Sequence, residues 1–551
     1  MADIYADVII VGGGPTGLTT ANYLGMQGVQ TILIERNSGT VQEPRAVSID
    51  DETMRGLQTI ELVERLIPNT LPGYGARYYS PSQKEFARIK PTTREFGHPR
   101  RSAFHQPELE ALLYEGLKRF PSVEVMYETT FESFEQDSDG VTVKVRDKGK
   151  TEKLLRGVYL AACDGGRSSI RHSIGAVLMG SSFEERWLVF DTVNDLDCTP
   201  DSVAYCDHRR PAITLPGPGN TRRWEFLVKK NEDADKLLEE DKINDLLRPY
   251  IGDKSVEIVR KVIYTFHARV ADKWREGRIF LLGDAAHLTP PYAGQGMNSG
   301  QRDAANFSWK AAAVIQNRLT DKIMETYESE RQHHAWSLIQ MAIQIGWAMV
   351  PRNWFHTYGQ ITFFRIAGLI PKLRDYFLGM KFKPIPRFQQ GFLLPDDRSP
   401  KNTLVGRMLP QPTVRTMDGV EQKLDDVMGT GFVLLAIGGN AADTLRGLRA
   451  EIWENLAATP VAISLDDNQS KIVDLNPVIL DPEEISPRFL EYDGWTLVVR
   501  PDRYVAAAFS PGNEAKIEAT IEALSLIHIS EPTRPERIAG CGGGEKKKKG
   551  G

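Results

Sequence analysis

The chain has 551 residues, too many for one hydrophobic core, so two or three domains are expected. Its 68 basic and 73 acidic residues leave a net charge of −5, and 41% of residues are hydrophobic, a balance with no mark of a nucleic-acid or membrane partner. Cys163, Cys198, Cys206 and Cys541 form neither a CxxC pair nor a Cys/His metal spacing, so no metal site and a reducing, cytoplasmic setting are expected. The most apolar stretch, residues 336–350, is too short and too polar for a membrane span. A core strand begins within ten residues of Met1, leaving no room for a signal peptide.

Residues 7–11 read as a strand, and Gly12-Gly13-Gly14-Pro15-Thr16-Gly17 as a GxGxxG turn. A helix over 18–27 and a second strand over 31–34 complete a βαβ unit, with Glu35 placed as a ribose-binding acid. In that turn Gly12 makes the bend, Gly14 admits a pyrophosphate and Gly17 packs helix on strand. The fingerprint does not separate FAD from NAD. Arg45 follows Pro44 in a loop and offers a guanidinium either to a phosphate or to a surface acid. Gln106 and Pro107 begin a helix.

Strands are expected over 123–127, 141–145 and 158–162. The last runs into Asp164-Gly165, with Ser168 able to cap the next helix and Arg171 either functional or simply exposed on it. Between 181 and 266, short alternating strands such as 187–190 and 223–228 predict an inserted antiparallel sheet. Arg209, Arg210, Arg222 or Arg223 on this sheet either pairs with a substrate carboxylate or lies on a solvated face.

Residues 279–282 read as a buried parallel strand ending at Gly283 and Asp284, where an open α/β sheet binds its ligand. Pro290 and Pro291 stiffen the next turn. Gly294, Gly296 and Asn298 lead into a helix whose positive amino end faces the same place. Helices are expected beyond 321, then a linker over 395–412. A last domain over 413–523 has strands at 431–437, 461–465, 495–500 and 504–508, with helices from 442 and near 513. Residues 524–551 resemble a translated sequencing adapter followed by glycine and lysine read-through. We expect them to be non-native, in which case the native carboxyl terminus is missing; a disordered basic tail is the alternative.

The run G-D-A-A-H-x-x-P-P-x-x-G-x-G-M-N over 283–298, with Asp303, Asn306, Trp309 and Lys310 after it, resembles the flavin-contacting motif of single-component FAD-dependent aromatic hydroxylases. GxGxxG, then D-G-x-x-S-x-x-R at 164–171, then Gly283-Asp284 occur in that family's order. Residues 44–52, 209–211, 222–225 and 376–384 resemble the 3-(3-hydroxyphenyl)propionate and 3-hydroxycinnamate hydroxylases, a subgroup. Residues 413–523 resemble the thioredoxin-like domain of phenol-hydroxylase relatives, with Gly439-Asn440-Ala441-Ala442 where thioredoxins carry CxxC.

The resemblance implies an α/β protein: a Rossmann-type FAD-binding domain (1–180 and 267–350), an inserted antiparallel substrate sheet (181–266), a helical segment (351–394) and a thioredoxin-like domain without thiol chemistry. It implies FAD contacts at Gly12, Gly14, Gly17, Glu35, Arg36, Arg45, Gln106, Asp164, Asp284, Gly294, Gly296, Met297 and Asn298, and places His287 and Pro291 beside the flavin as the catalytic candidates. NADH or NADPH is the implied transient reductant, and dioxygen added at flavin C4a hydroxylates a phenolic ring to a catechol, the substrate being a hydroxyphenylpropionate-like acid. Tyr292-Ala293 departs from many relatives and gives the pocket its own shape. A hydroxylase of neutral phenols, a flavin reductase or dehydrogenase, and a non-catalytic flavin-binding paralogue are the alternatives. A homodimer is compatible with the reading.

Overall fold

The computed structural model describes residues 4–195, 197, 199–254, 256–383, 386–399, 401–464, 478–480 and 487–523. The expected tail, Cys198, Cys541 and Leu465, the last residue of one expected strand, lie outside them. Among the described residues no helix is long and apolar enough to cross a membrane.

The first sheet has the strand order Arg275–Glu276, Ile279–Leu281, Tyr159–Ala162, Val8–Val11, Thr31–Ile34, Val123–Met126. All pairs are parallel except the short edge strand Arg275–Glu276. The four strands in the middle of that list bury every residue, which is why they are continuous Val/Ile/Leu/Ala/Phe runs rather than alternating ones. The helices Pro15–Met26 and Gly296–Ile315 cross closely. Gly300 meets the Thr16 side chain, which a β-carbon there would displace. The carboxyl ends of Val8–Val11, Tyr159–Ala162 and Ile279–Leu281 therefore open side by side, and they carry the three fingerprints.

The second sheet is larger than expected. Its order is His287–Leu288, Glu257–Ala271, Leu178–Val193, Arg222–Val228, Ala212–Pro216, Ser202–Tyr205, Ala76–Tyr79, Glu85–Ile89. The sheet expected within 181–266 thus runs on to Ala271 and recruits a hairpin from the amino-terminal segment through the parallel pairing of Ser202–Tyr205 with Ala76–Tyr79. That hairpin offers Tyr78 and Phe86 to the apolar cluster around Trp187 and Phe266. Long-range pairing of this kind leaves no local signal in the sequence.

Helix Lys322–Met349 covers the expected apolar stretch, and the helices Trp354–Leu369 and Pro371–Leu378 follow. The expected linker is not free. Leu404, Val405 and Leu409 are buried in the core cluster of the last domain, and bridges pair Arg387 with Arg407 and Met408 with Tyr504.

The last sheet orders Glu421–Lys423, Thr413–Thr416, Val478–Leu480, Thr459–Ser464, Val433–Ile437, Thr496–Val499, Val505–Phe509, mixed in direction. Two buried ionic joints dock it. Asp425 takes Arg55 side-on at 2.6–2.7 Å. Glu330 accepts Arg500 at 2.7–2.8 Å, Lys310 at 2.8 Å and Asn306 at 2.7 Å. Burial opposes the Glu330 charge, but Arg500 and Lys310 override it and hold the carboxyl at about 2. A carboxyl depressed on folding stabilises above its unfolded value, and that contribution disappears as pH falls through the folded value.

Removing one partner of a buried pair costs about 3–5 kcal/mol. Glu330→Gln should lower the urea midpoint at pH 7 accordingly. The gap to the wild type should narrow as pH falls from about 4 toward 2, and a gap unchanged over that range would disprove the assignment of the charge.

Candidate active site

The GxGxxG turn is shaped by two crowded glycines and one open one. Gly12 has φ 111°, and a β-carbon on it would strike the Cys163 carbonyl; one on Gly17 would strike the Gly12 carbonyl. Gly17 thus packs the helix against the turn itself. A β-carbon on Gly14 would meet nothing, so this position faces open space. Glu35 is held by the same turn: one carboxylate oxygen accepts from Gly13 N at 2.7 Å, the other from Asn37 N at 2.8 Å and Asn37 Nδ2 at 2.7 Å. Arg36 beside it is exposed.

The second fingerprint meets the third. Ser168 caps the helix Ser169–Ser173 by accepting from Arg171 N. Arg171 is not an exposed helix arginine: it is buried and donates to Gly166 O and Ala285 O, both at 3.0 Å, tying the Asp164 loop to the Asp284 turn. Asp164 receives only long bonds from Ser169 and Ile170 on one oxygen, and its other oxygen is enclosed without a partner among the described residues.

Asp284 is solvent-accessible at the turn that follows the strand. Desolvation raises its carboxyl, opposed by His287 and Arg45. His287 itself is fully buried. Its Nε2 lies 2.7 Å from Asp303, its ring packs on Trp274, and no atom of it is open to the cleft. Asp303 also accepts from Gly283 N at 3.0 Å and Arg331 Nε at 2.8 Å. Burial would raise the Asp303 carboxyl, but Arg331 and His287 hold it at about 2.

Two expected ligand-contacting side chains are already spent. Asn298, fully buried, accepts from Asp50 N at 3.1 Å and Thr53 Oγ1 at 2.7 Å, and donates to Ser48 O at 3.1 Å and Gly294 O at 2.6 Å. It latches the glycine turn to strand Ser48–Asp50, so only its backbone remains for a ligand. Gln106 accepts from Ala46 N at 2.6 Å and donates to Glu110 at 2.7 Å. It holds the 44–46 loop. Arg223 grips the same loop through Pro44 O at 2.8 Å and Arg45 O. Arg45 is thereby fixed by its backbone, while its exposed guanidinium has no bond or ion pair among the described residues.

The Pro291–Ala293 turn and Gly294, at φ 62°, lead into the amino end of Gly296–Ile315. A β-carbon on Gly296 would meet nothing. Pro291, Tyr292, Gly294, Gly296 and Met297 form one wall of a cavity of about 190 Å³, and the second sheet forms the opposite wall. Tyr292 packs edge-on against Phe183, Trp187 and Phe266, so its bulk is absorbed by the aromatic cluster.

The four arginines weighed for a substrate carboxylate are all occupied. Arg209 is exposed and pairs with Asp207, and Arg210 pairs with Glu232. Arg222 is buried against Asp197 and Thr214. Arg223 reaches the cavity, but Asp191 neutralises it side-on at 2.7 and 3.0 Å. Sequence reading missed two cavity residues. Arg101 lines the cavity, lies 4.0 Å over the Tyr74 ring, donates to its hydroxyl at 2.6 Å, and has no acid partner among the described residues. Glu225 lines it too, 6% exposed. Its signal was legible: a lone acid between Trp224 and Phe226 on a strand whose neighbours are apolar.

A model of the FAD binding domain family matches residues 5–342, and one of the HcaD C-terminal domain matches residues 406–524. The 3-(3-hydroxy-phenyl)propionate/3-hydroxycinnamic acid hydroxylase of Klebsiella pneumoniae (strain 342) is 34% identical over 540 residues, covering 97% of each chain. The same-named protein of Mycolicibacterium smegmatis is 36% identical over 507 residues, covering 91% of this chain and 90% of the relative. The flavin-dependent monooxygenase PieE, solved with FAD and substrate, superposes with a TM-score of 0.80 at 21% identity, over 95% of this chain and 99% of its own. Aklavinone-11 hydroxylase, solved with FAD and aklavinone, gives 0.76 at 22% identity over 95% and 100%. At those identities the superpositions speak for the fold alone. The match over more than half the chain and the two hydroxylase relatives place this chain in the FAD-binding-domain family, as an FAD-dependent aromatic hydroxylase.

Proposed function

We propose that the protein hydroxylates a phenol carrying a short carboxylated side chain, of the 3-hydroxyphenylpropionate type, to a catechol, with NADH or NADPH as reductant and dioxygen as cosubstrate. The observation that carries this reading is the cavity between the flavin-motif turn and the second sheet, lined largely by apolar side chains and holding Arg101, which has no acid partner among the described residues. Bound FAD would supply the redox and oxygen-activating chemistry, as cofactors do in such enzymes.

The residues present fit the cofactor. Gly14 and Gly296 leave room for close approach, and among the described residues the Arg45 guanidinium is unspent and one Asp164 oxygen lacks a partner. We assign Gly12, Gly14, Gly17, Glu35 and Arg36 to the adenosine and pyrophosphate end. Arg45, Asp164 and Asp284 are assigned to the pyrophosphate and ribityl chain, and Gly294, Gly296 and Met297 to the ring. Gln106 and Asn298 act through the loops they hold. His287 sets the turn beneath Asp284 rather than reaching the reacting atoms, whereas Pro291 lines the cavity. The sheet closes the opposite side and keeps water from the reacting ring. The carboxyl-terminal domain, read as thioredoxin-like, has Gly439 and Ala442 where thiols would be needed and serves as a brace.

Arg101 takes over the carboxylate role weighed for the sheet arginines. A guanidinium flat on an aromatic ring keeps N–H groups for a side-on carboxylate. A phenol with a propionate arm would then be oriented by its two ends.

Two measurements bear on this reading. A hydrogen bond to a charged group contributes about 1.5–3 kcal/mol, so Asp284→Ala should weaken FAD binding roughly ten- to a hundredfold. An unchanged FAD dissociation constant would remove Asp284 from the site. Arg101→Gln should raise KM for 3-hydroxyphenylpropionate roughly tenfold or more, and leave its methyl ester little changed. Equal kcat/KM for acid and ester in the wild type would point instead to a hydroxylase of neutral phenols.

A further inference from the structure

Glu225 sits in strand Arg222–Val228, flanked in register by Val189 on one side and Ile213 on the other. That row continues across the sheet through Ala204 to Tyr78. Three strand spacings separate Glu225 from Tyr78, roughly 14 Å. Arg101 stands near the Tyr78 end, where its charge acts on the Tyr78 hydroxyl. Glu225 stands near the Tyr292 end, against the flavin-motif turn. The cavity therefore carries Arg101 toward one end and Glu225 toward the other, with Ile213 and Ala204 between them; of the other two arginines that line it, Arg223 is neutralised by Asp191 and Arg45 is assigned above to the cofactor. A hydroxyphenylpropionate has the same two-ended form.

The Glu225 carboxyl receives no hydrogen bond and no ion pair among the described residues, though it is more than nine-tenths buried. Such a group is costly to bury unless it has a task or a ligand. The charged groups facing it are few. Arg223 is adjacent on its strand but committed to Asp191, and Asp191 lies on the neighbouring strand. Tyr292 faces it from the turn, with Glu185 also acting on that tyrosine. Desolvation raises its carboxyl to about 7, Arg223 opposing and Asp191 reinforcing. A base in that range suits neutral pH.

We infer that Glu225 is the catalytic base that accepts the phenolic proton of the substrate. This rests on the phenol reading above. As the ring carbon beside the hydroxyl acquires the oxygen atom that bound FAD and dioxygen would supply, the phenolic O–H bond breaks and an O–H bond forms on the Glu225 carboxylate. The electron pair left on the phenolic oxygen moves into the ring. When the ring recovers its aromaticity, Glu225 returns its proton to the oxygen, and the proton shed by the carbon passes to solvent as the product leaves. The carboxylate is regenerated and gains or loses no electrons.

The test compares the FAD-loaded wild type with Glu225→Gln, an isosteric change, on 3-hydroxyphenylpropionate and on a ring-fluorinated analogue that is ionised at the assay pH. General-base assistance spans about 10²–10⁴ in rate. Glu225→Gln should cost on the order of 10² in product formation with the ordinary phenol, with KM changed less than kcat. The fall in wild-type kcat/KM below about pH 7 should vanish in the variant. With the ionised analogue the defect should shrink to a few-fold, because no proton remains to be taken. Substrate binding, read as quenching of tryptophan fluorescence, should persist. An equal defect with both phenols, or a variant as active as the wild type, would overturn the assignment to Glu225. A wild type that binds FAD but hydroxylates neither phenol would overturn the phenol reading and this inference together.

Discussion

The architecture depends on one buried carboxylate. Asp303 sits two turns into helix Gly296–Ile315 and gathers Gly283 N, His287 and Arg331 onto its two oxygens. Through Gly283 it fixes the end of a central strand, through His287 the turn after it, and through Arg331 the long helix behind. Because Asp303 remains ionised in a dry interior, each of these donors is held by charge as well as geometry. The strand end that carries Asp284 is thus set from beneath by fully buried residues.

The same division between presenting and supporting groups recurs around the site. Residues 50–52 resemble a hydroxylase motif, and residues 376–384 resemble another. In the structure they meet: Lys383 reaches Asp50 at 3.2 Å and Glu52 at 3.0 Å, while Arg302 pairs with Glu52 at 2.6 Å and with Asp50. Three adjacent acids opposed by two cations leave one in excess, and Asp51, desolvated and beside its like-charged neighbours, is pushed up to about 7. These acids and cations form a joint that ties strand Ser48–Asp50 to helix Gly296–Ile315 and to Lys383.

The parallel sheet and its three turns were legible because each strand is short, apolar and followed by glycine or an acid, a local pattern with a local cause. The bend at Gly12 was legible for the same reason, since its positive φ and the nearby Cys163 carbonyl leave no room for a side chain. Asn298 and Gln106 were not, because an amide that binds a ligand and one that latches a loop look alike until the partner's position is known. The hairpin at 76–89 escaped because its parallel partner lies over a hundred residues away. Arg101 escaped with it, since its significance is that the acids nearby are taken. Prolines and polar residues over 395–412 suggested a linker; composition did not show that Leu404 and Leu409 are buried in the core of the last domain.

Arg223 carries a consequence beyond its own sheet. It lines the cavity wall and donates to the two carbonyls of residues 44 and 45. One guanidinium therefore fixes both the cavity wall and the loop that carries Arg45, so a change at Arg223 reaches both at once.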